Sequence, residues 1–239
     1  SAEWFTLALT LPSGDKPEDK QWLKDFSLGL KTLSQKTACA LVGGDTTRGD
    51  LSITIQVMGF VNKGKALLRN GAKLGDNIYV TGTLGDASVG LACVFNKLKL
   101  SKEDKSYCQQ RLNRPTARLV ESEIIKRYAT SCIDISDGLL QDLSHILTAS
   151  SVGAEVDRNK IPLSSALQSM ESGIAIPFAL SGGDDYELLF TIPIENEDKF
   201  LRAINYPVTL IGKINNNVQC ITDENGNLLE SSGYNHFVK

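Results

Sequence analysis

Cys132-Ile133-Asp134-Ile135-Ser136-Asp137-Gly138-Leu139-Leu140, in the middle of a 239-residue chain, reads as a short apolar strand that runs into an acidic turn and then a helix. The strand covers Cys132 to Ile135 and the turn is Ser136-Asp137-Gly138. Leu139, Leu140, Leu143, Ile146 and Leu147 then recur along one side of the helix. Upstream, Asn77 to Thr81 reads as a strand, Gly82-Thr83-Leu84-Gly85-Asp86 as a glycine-rich turn, and Ala87 to Asn96 as a helix. Arg114-Pro115 opens another helix, carrying Leu119, Ile124 and Ile125. Downstream, Gly153 to Val156, Tyr186 to Ile192, Val208 to Ile214 and Val218 to Ile221 read as strands. Lys199 to Ile204 reads as a helix and Glu224-Asn225-Gly226-Asn227 as a hairpin turn.

Nearer the start, Phe5 to Leu11 forms a strand pattern closed by Pro12-Ser13-Gly14. Trp22, Leu23, Phe26, Leu30 and Leu33 follow at helical spacing after Pro17. Ala38 to Val42 is an apolar run that stops at Gly43-Gly44-Asp45. Leu51, Ile53, Ile55 and Val57 alternate with Ser52, Thr54 and Gln56, the pattern of a half-buried strand. Asn62-Lys63-Gly64-Lys65 breaks the pattern, which divides the chain into residues 1–61 and 62–239. Strands and helices mix without a strict βαβ alternation, so the expected class is α+β.

The formal net charge is -3, with 41% hydrophobic residues. A mildly acidic chain has no electrostatic footprint for nucleic acid. Five cysteines without a C-x-x-C pair argue against a zinc site or a redox dithiol, and fit reduced thiols. No apolar run is long enough to span a bilayer. The expectation is a soluble, cytoplasmic protein with no membrane partner.

Three acidic segments are expected as loops after apolar strands: Gly43 to Gly49, Asp134 to Gly138, and Ser181-Gly182-Gly183-Asp184-Asp185. Glycine lets a backbone approach a ligand, and carboxylates hold hard cations. Together they suggest a metal–nucleotide site. Gly-Asp and Asp-Gly pairs are also ordinary turn chemistry, and Asp137 or Ser136 can equally cap the following helix. Gly82-x-x-Gly85 reads as a cap for the helix after it. The phosphate loop G-x-x-x-x-G-K-[ST] is absent. The only histidines are His145 and His236, so histidine-based catalysis is not expected.

Several segments resemble the thiamine-monophosphate kinases. They are Trp4 to Pro12, Gly43-Gly44-Asp45-Thr46-Thr47-Arg48-Gly49, Leu68 to Asp76, Val80 to Asp86, Ile133 to Leu139, Leu180 to Leu188, and Gly233-Tyr234-Asn235-His236-Phe237. They run in family order along nearly the whole chain. The resemblance implies a two-domain fold like that of aminoimidazole ribonucleotide synthetase, and a homodimer. It implies ATP-dependent phosphorylation of thiamine phosphate to thiamine diphosphate with Mg2+. Asp45, Asp134 and Asp137 are then metal ligands. Gly44, Asp45, Arg69 and Ser136 are ATP contacts, and Asp184 and Tyr234 are thiamine phosphate contacts. No side chain is assigned as a catalytic acid or base.

Two departures stand out: Asp184 replaces the family's usual glutamate, and Tyr234 stands where tryptophan is common. The family also has a front segment before the position of Ser1, carrying further aspartates. The chain as given is therefore expected to be a truncated form and a poor kinase. The alternatives are another ATP-dependent synthetase of the superfamily, and a nucleotide-binding or interaction protein without turnover.

Overall fold

The structure is a computed structural model and describes residues 2–12, 17–171 and 173–230. The chain divides into two compact units that meet in sequence at Ala66 and Leu67.

The first unit holds β1 (Ala2–Leu11), α1 (Pro17–Thr37), β2 (Ala40–Arg48) and β3 (Ser52–Gly59). The sheet order is β2-β1-β3, with β1 parallel to β2 and antiparallel to β3. α1 is the crossover that a parallel β1–β2 pair requires. Its Leu23, Phe26 and Leu30 line one cleft with Phe5, Leu7 and Leu9 of β1. Direct pairing sets Val57, Ile55 and Ile53 of β3 opposite Phe5, Leu7 and Leu9, on that same face. Yet Ile53, Ile55 and Val57 are 43%, 44% and 57% exposed. β3 is therefore not the half-buried strand its alternation suggests. α1 lies over β1 and β2, whose Leu41 and Thr46 line the same cleft, and no β3 residue lines it.

Gly43 to Arg48 is a second difference. It is not a loop but the body of β2, paired from Gly43 opposite Thr6 to Arg48 opposite Leu11. Glycine makes this possible at Gly44. Its φ is +152°, and a Cβ there would run into the Leu7 carbonyl.

The second unit holds β4 (Asn77–Thr81), α2 (Asp86–Val94), α3 (Lys102–Asn113), α4 (Leu119–Ile125), β5 (Ser131–Asp134), α5 (Leu139–Ser150) and β6 (Gly153–Val156). It continues with α6 (Ser165–Gln168), α7 (Ala175–Ser181), β7 (Leu188–Ile192), α8 (Ile194–Ala203), β8 (Val208–Asn215) and β9 (Ile221–Asp223). Six strands form one sheet in the order β5-β7-β4-β8-β6-β9. All neighbours are antiparallel except β6 and β9.

Both faces of this sheet are covered. Ile78, Val80, Leu189, Ile211 and Ile214 pack with Leu139, Leu140, Leu143, Ile146 and Leu147 of α5. Tyr79, Phe190 and Ile192 point the other way, against Phe200 of α8 and Ile125 of α4. Period-two alternation thus puts apolar side chains on both faces of β4, and all five of its residues are buried. A smaller cluster joins α2, α3, α6 and α7 through Val89, Cys108, Ala166, Leu167 and Ala175.

α3, α6 and α7 were not read from the sequence. α3 is Lys-Glu-Asp-Lys-Ser-Tyr-Cys-Gln-Gln-Arg-Leu-Asn with Cys108 as its buried residue, so it lacks an apolar stripe. Its local signal is the cap, where the Ser101 hydroxyl accepts from the Asp104 N–H at 3.1 Å. Near the end, β9 begins at Ile221 rather than Val218, because Gln219 turns the chain at φ 60°.

Candidate functional site

The loop Asp134–Gly138 leaves the C-terminal end of β5 as the sequence suggests. The loop Ser181–Asp185 does not follow a strand. It follows α7 and enters the N-terminal end of β7. Because β7 runs antiparallel to β5, with Leu188 opposite Asp134, both loops arrive at the same end of the sheet. Backbone bonds join them. The Asp184 N–H donates to the Ser136 carbonyl at 2.9 Å, the Tyr186 N–H to Ile135 at 2.8 Å, and the Ile135 N–H to Glu187 at 2.8 Å. Gly138 has φ +127°, and a Cβ on it would lie 2.8 Å from the Ser181 carbonyl oxygen, so the loops touch where no side chain fits. Asp134, Ser136, Asp137 and Asp184 are thereby brought together.

Three buried carboxylates that the sequence reading passed over hold this arrangement. Asp142, in the first turn of α5 and 1% exposed, accepts at one oxygen from the N–H groups of Ser136, Asp137 and Gly138 at 3.0, 3.0 and 3.2 Å. Neither Ser136 nor Asp137 caps α5; Gly138 is its N-cap residue, without a side-chain cap bond, and Asp142 fixes the turn that leads into the helix. Burial still pushes its carboxyl above the ordinary range against those three bonds. Asp185 accepts from the Gly85 N–H at 2.7 Å and more weakly from Ala87 at 3.4 Å, so it caps α2 from 100 residues away. Burial pushes its carboxyl up to about 7, against the pull of these N–H groups. Glu187 is fully buried and binds Thr81 at 2.6 Å, Arg111 at 2.8 Å and Arg118 through two contacts. Arg118 also stacks on Tyr206, 4.4 Å from the ring centre. These partners lie 69 to 106 residues from Glu187, so no local pattern marks it.

The loop between these anchors is strained. Asp184 has φ 67° and Tyr186 φ 51°. A left-handed backbone is tolerable for Asp but costs roughly 1–2 kcal/mol for a bulky aromatic. Asp185 and Glu187 point inward, while Asp184 is half-buried and Tyr186 is 40% exposed. The Tyr186 hydroxyl donates to Asp184 at 3.3 Å. Burial, then the charge and hydrogen bond of Asp184, then the charges of Asp134 and Asp137 push the phenol up. Three carboxylates therefore act on one hydroxyl.

Arg69 is exposed in a 3-10 turn beside β5, where the Leu68 carbonyl accepts from Cys132 at 3.2 Å. Gly44 and Asp45 lie in β2 of the first unit, where Asp45 accepts from the Thr46 N–H at 2.8 Å. Tyr234 and His236 lie outside the described residues. Among the described residues, no ion pair involves Asp45, Asp134, Asp137 or Asp184. Unpaired carboxylate oxygens fit a hard cation such as magnesium, which prefers oxygen donors. Asp137, Asp142 and His145 also lie close enough for one ion, but Asp142 already serves three N–H groups.

Two family models match the chain: AIR synthase related protein, N-terminal domain, over residues 2–61, and its C-terminal domain over residues 73–221. The thiamine-monophosphate kinase of Salmonella typhimurium is 43% identical over 98% of this chain and 74% of its own length. That of Escherichia coli K12 is 44% identical with the same coverage. The crystal structure of thiamine-monophosphate kinase from Stenotrophomonas maltophilia superposes with TM-score 0.87 at 38% identity, over 95% of this chain and 73% of that one. AaThiL complexed with AMPPCP and TMP superposes with TM-score 0.82 at 30% identity, over 99% and 74%. Escherichia coli HypE, at 16% identity and TM-score 0.79, shares the fold alone. At 43% identity over 74% of that kinase's own length, the chain belongs to the thiamine-monophosphate kinase family.

Proposed function

We infer that this chain carries the family's activity, ATP-dependent phosphorylation of thiamine phosphate to thiamine diphosphate. The supporting observation is the convergence of Asp134, Ser136, Asp137 and Asp184 at one sheet end, in a chain 43% identical to a thiamine-monophosphate kinase. One relative is described in complex with AMPPCP and TMP, an ATP analogue and the acceptor.

The acceptor is a phosphate monoester whose second pKa is about 6, so it is already an anionic nucleophile at neutral pH. Little is asked of a general base. The barrier is repulsion between two anions plus alignment, and chain groups supply positioning and charge. Asp45, Asp134 and Asp137 are each proposed as magnesium ligands. When bound, magnesium neutralises the phosphates. Gly44, Asp45, Arg69 and Ser136 are proposed nucleotide contacts, with Arg69 as a fixed positive charge. Asp184 and Tyr234 are proposed to contact thiamine phosphate, a carboxylate and an aromatic ring suited to a cationic heterocycle. Residues 1–61 and 62–239 are proposed as the domains.

A homodimer is proposed through the first unit, whose β3 leaves Ile53, Ile55 and Val57 uncovered. No helix of the described residues is long and apolar enough to cross a membrane. A cytoplasmic location without nucleic-acid or membrane partners completes the reading.

The test is formation of thiamine diphosphate from thiamine phosphate, ATP and magnesium. Asp134→Asn and Asp137→Asn are each expected to lower turnover roughly 10²- to 10³-fold, the order seen when one preorganised electrostatic group is lost. Full turnover in both variants contradicts the assignment.

A further inference from the structure

We propose that Tyr186 is a specificity-determining residue of the acceptor site, its ring forming the face on which the cationic heterocycle of thiamine phosphate stacks. This rests on the thiamine phosphate reading above and adds to it a residue that reading does not use.

Side chains alternate along the loop. Asp185 and Glu187 are 3% and 0% exposed, and both spend their carboxylates on the protein's own donors. Asp184 and Tyr186 point the other way, and these are the two residues with left-handed backbone, at φ 67° and 51°. Their N–H groups are fixed to the Ser136 and Ile135 carbonyls. The inward pair and the backbone bonds therefore hold a strained conformation whose product is one carboxylate and one aromatic ring, presented side by side. Tyr186 is only partly covered, at 40% exposed, and belongs to none of the three hydrophobic clusters. Strain that packing does not explain, next to a site, points to a ligand-facing role.

The chemistry at the ring narrows the ligand. Asp184 accepts from the hydroxyl at 3.3 Å, and the charges of Asp134 and Asp137 are felt at the same phenol. No lysine or arginine pairs with these carboxylates among the described residues. With Asp134 and Asp137 assigned to magnesium, Asp184 is the carboxylate left beside the ring, and an aromatic face next to it favours a flat cation over a neutral ring of the same shape. The thiazolium of thiamine phosphate is such a cation. The hydroxyl bond keeps the Asp184 carboxylate turned to the same side as the ring.

The experiment is calorimetric titration, with the ATP analogue and magnesium present, of thiamine phosphate and of its neutral thiophene isostere. Wild type is expected to prefer the cation by about 10-fold. Tyr186→Leu keeps bulk but removes the π face, and is expected to bring that preference down to about 2-fold while leaving affinity for the ATP analogue unchanged. Tyr186→Phe keeps the face and is expected to retain most of the preference. The readout is a ratio of two ligands on one protein sample, so a partly unfolded variant does not mimic the result. A Tyr186→Leu variant with the wild-type ratio overturns the proposal. If wild type binds neither ligand, the thiamine phosphate reading fails and the proposal falls with it. Binding of both by wild type with an unaltered ratio in Tyr186→Leu removes the proposal alone.

Discussion

The two sheets of this molecule carry similar sequence patterns and bury them very differently. In β3, Ile53, Ile55 and Val57 alternate with polar residues and remain 43–57% exposed. In β4 and β7, Ile78, Val80 and Leu189 face α5 while Tyr79, Phe190 and Ile192 face α4 and α8, and every one of them is buried. Alternation tells which side chains share a face. It does not tell whether anything covers that face, because cover depends on how many helices the chain supplies per strand. Among the described residues, the first unit has one helix for three strands. The second wraps its sheet on both sides and uses the remaining buried volume for carboxylates that anchor loops.

The largest effect that would sharpen this contrast comes from Glu187. Glu187→Ala leaves Arg111 and Arg118 buried without their shared partner, and is expected to destabilise the second unit by about 3–5 kcal/mol. Chemical denaturation followed by hydrogen exchange of β4 and β7 amides measures it. A loss below about 1 kcal/mol would show that water reaches those guanidinium groups and that the cluster is not closed.

Leu189→Ala comes next, at about 2–5 kcal/mol for a fully buried leucine between β4 and α5. Its counterpart in the first unit is Ile55→Ala, expected to cost the single chain no more than about 1 kcal/mol and to show its larger effect on the proposed dimer. Equal costs at the two positions, in a concentration-independent measurement, would break the comparison.

Asp185 gives a pH signature of intermediate size. Its carboxyl is raised from 3.8 to about 7, so between those values the folded state holds a proton that the unfolded chain has released. Its contribution is therefore fully present below about pH 4 and is lost as pH rises through about 7, with a slope of at most about 1.4 kcal/mol per pH unit. Asp185→Asn imitates the protonated acid and removes that slope. Melting temperature of the variant relative to wild type is expected to rise between pH 5 and pH 7 and then level off. A constant difference across that range would mean that Asp185 is charged in the fold at all these pH values.

The loop Asp134–Gly138 was legible in the sequence, and so was Ser181–Asp185 except that it follows a helix rather than a strand. Asp134, Ser136, Asp137 and Asp184 could be singled out because glycines and acids cluster beside apolar runs. What joins them was not legible. Asp142, Asp185 and Glu187 look like ordinary acids in a helix, a turn and a strand; Asp142 bonds the turn just before its helix, while Asp185 and Glu187 take their meaning from partners up to 106 residues away. The expectation that Gly43 to Gly49 forms a loop failed for a related reason. Glycine signals close approach as well as turning, and here Gly44 lets β2 run alongside Leu7. α3 was hidden because a polar helix that buries little apolar surface has no stripe to read.

Amide hydrogen exchange with and without thiamine phosphate, the ATP analogue and magnesium tests most directly whether the paired acidic loops are the ligand site. The account predicts slowed exchange at residues 134–138 and 181–187, with β6 and β9 unchanged as internal references. Slowed exchange elsewhere in the second unit with those two loops unaffected would contradict it.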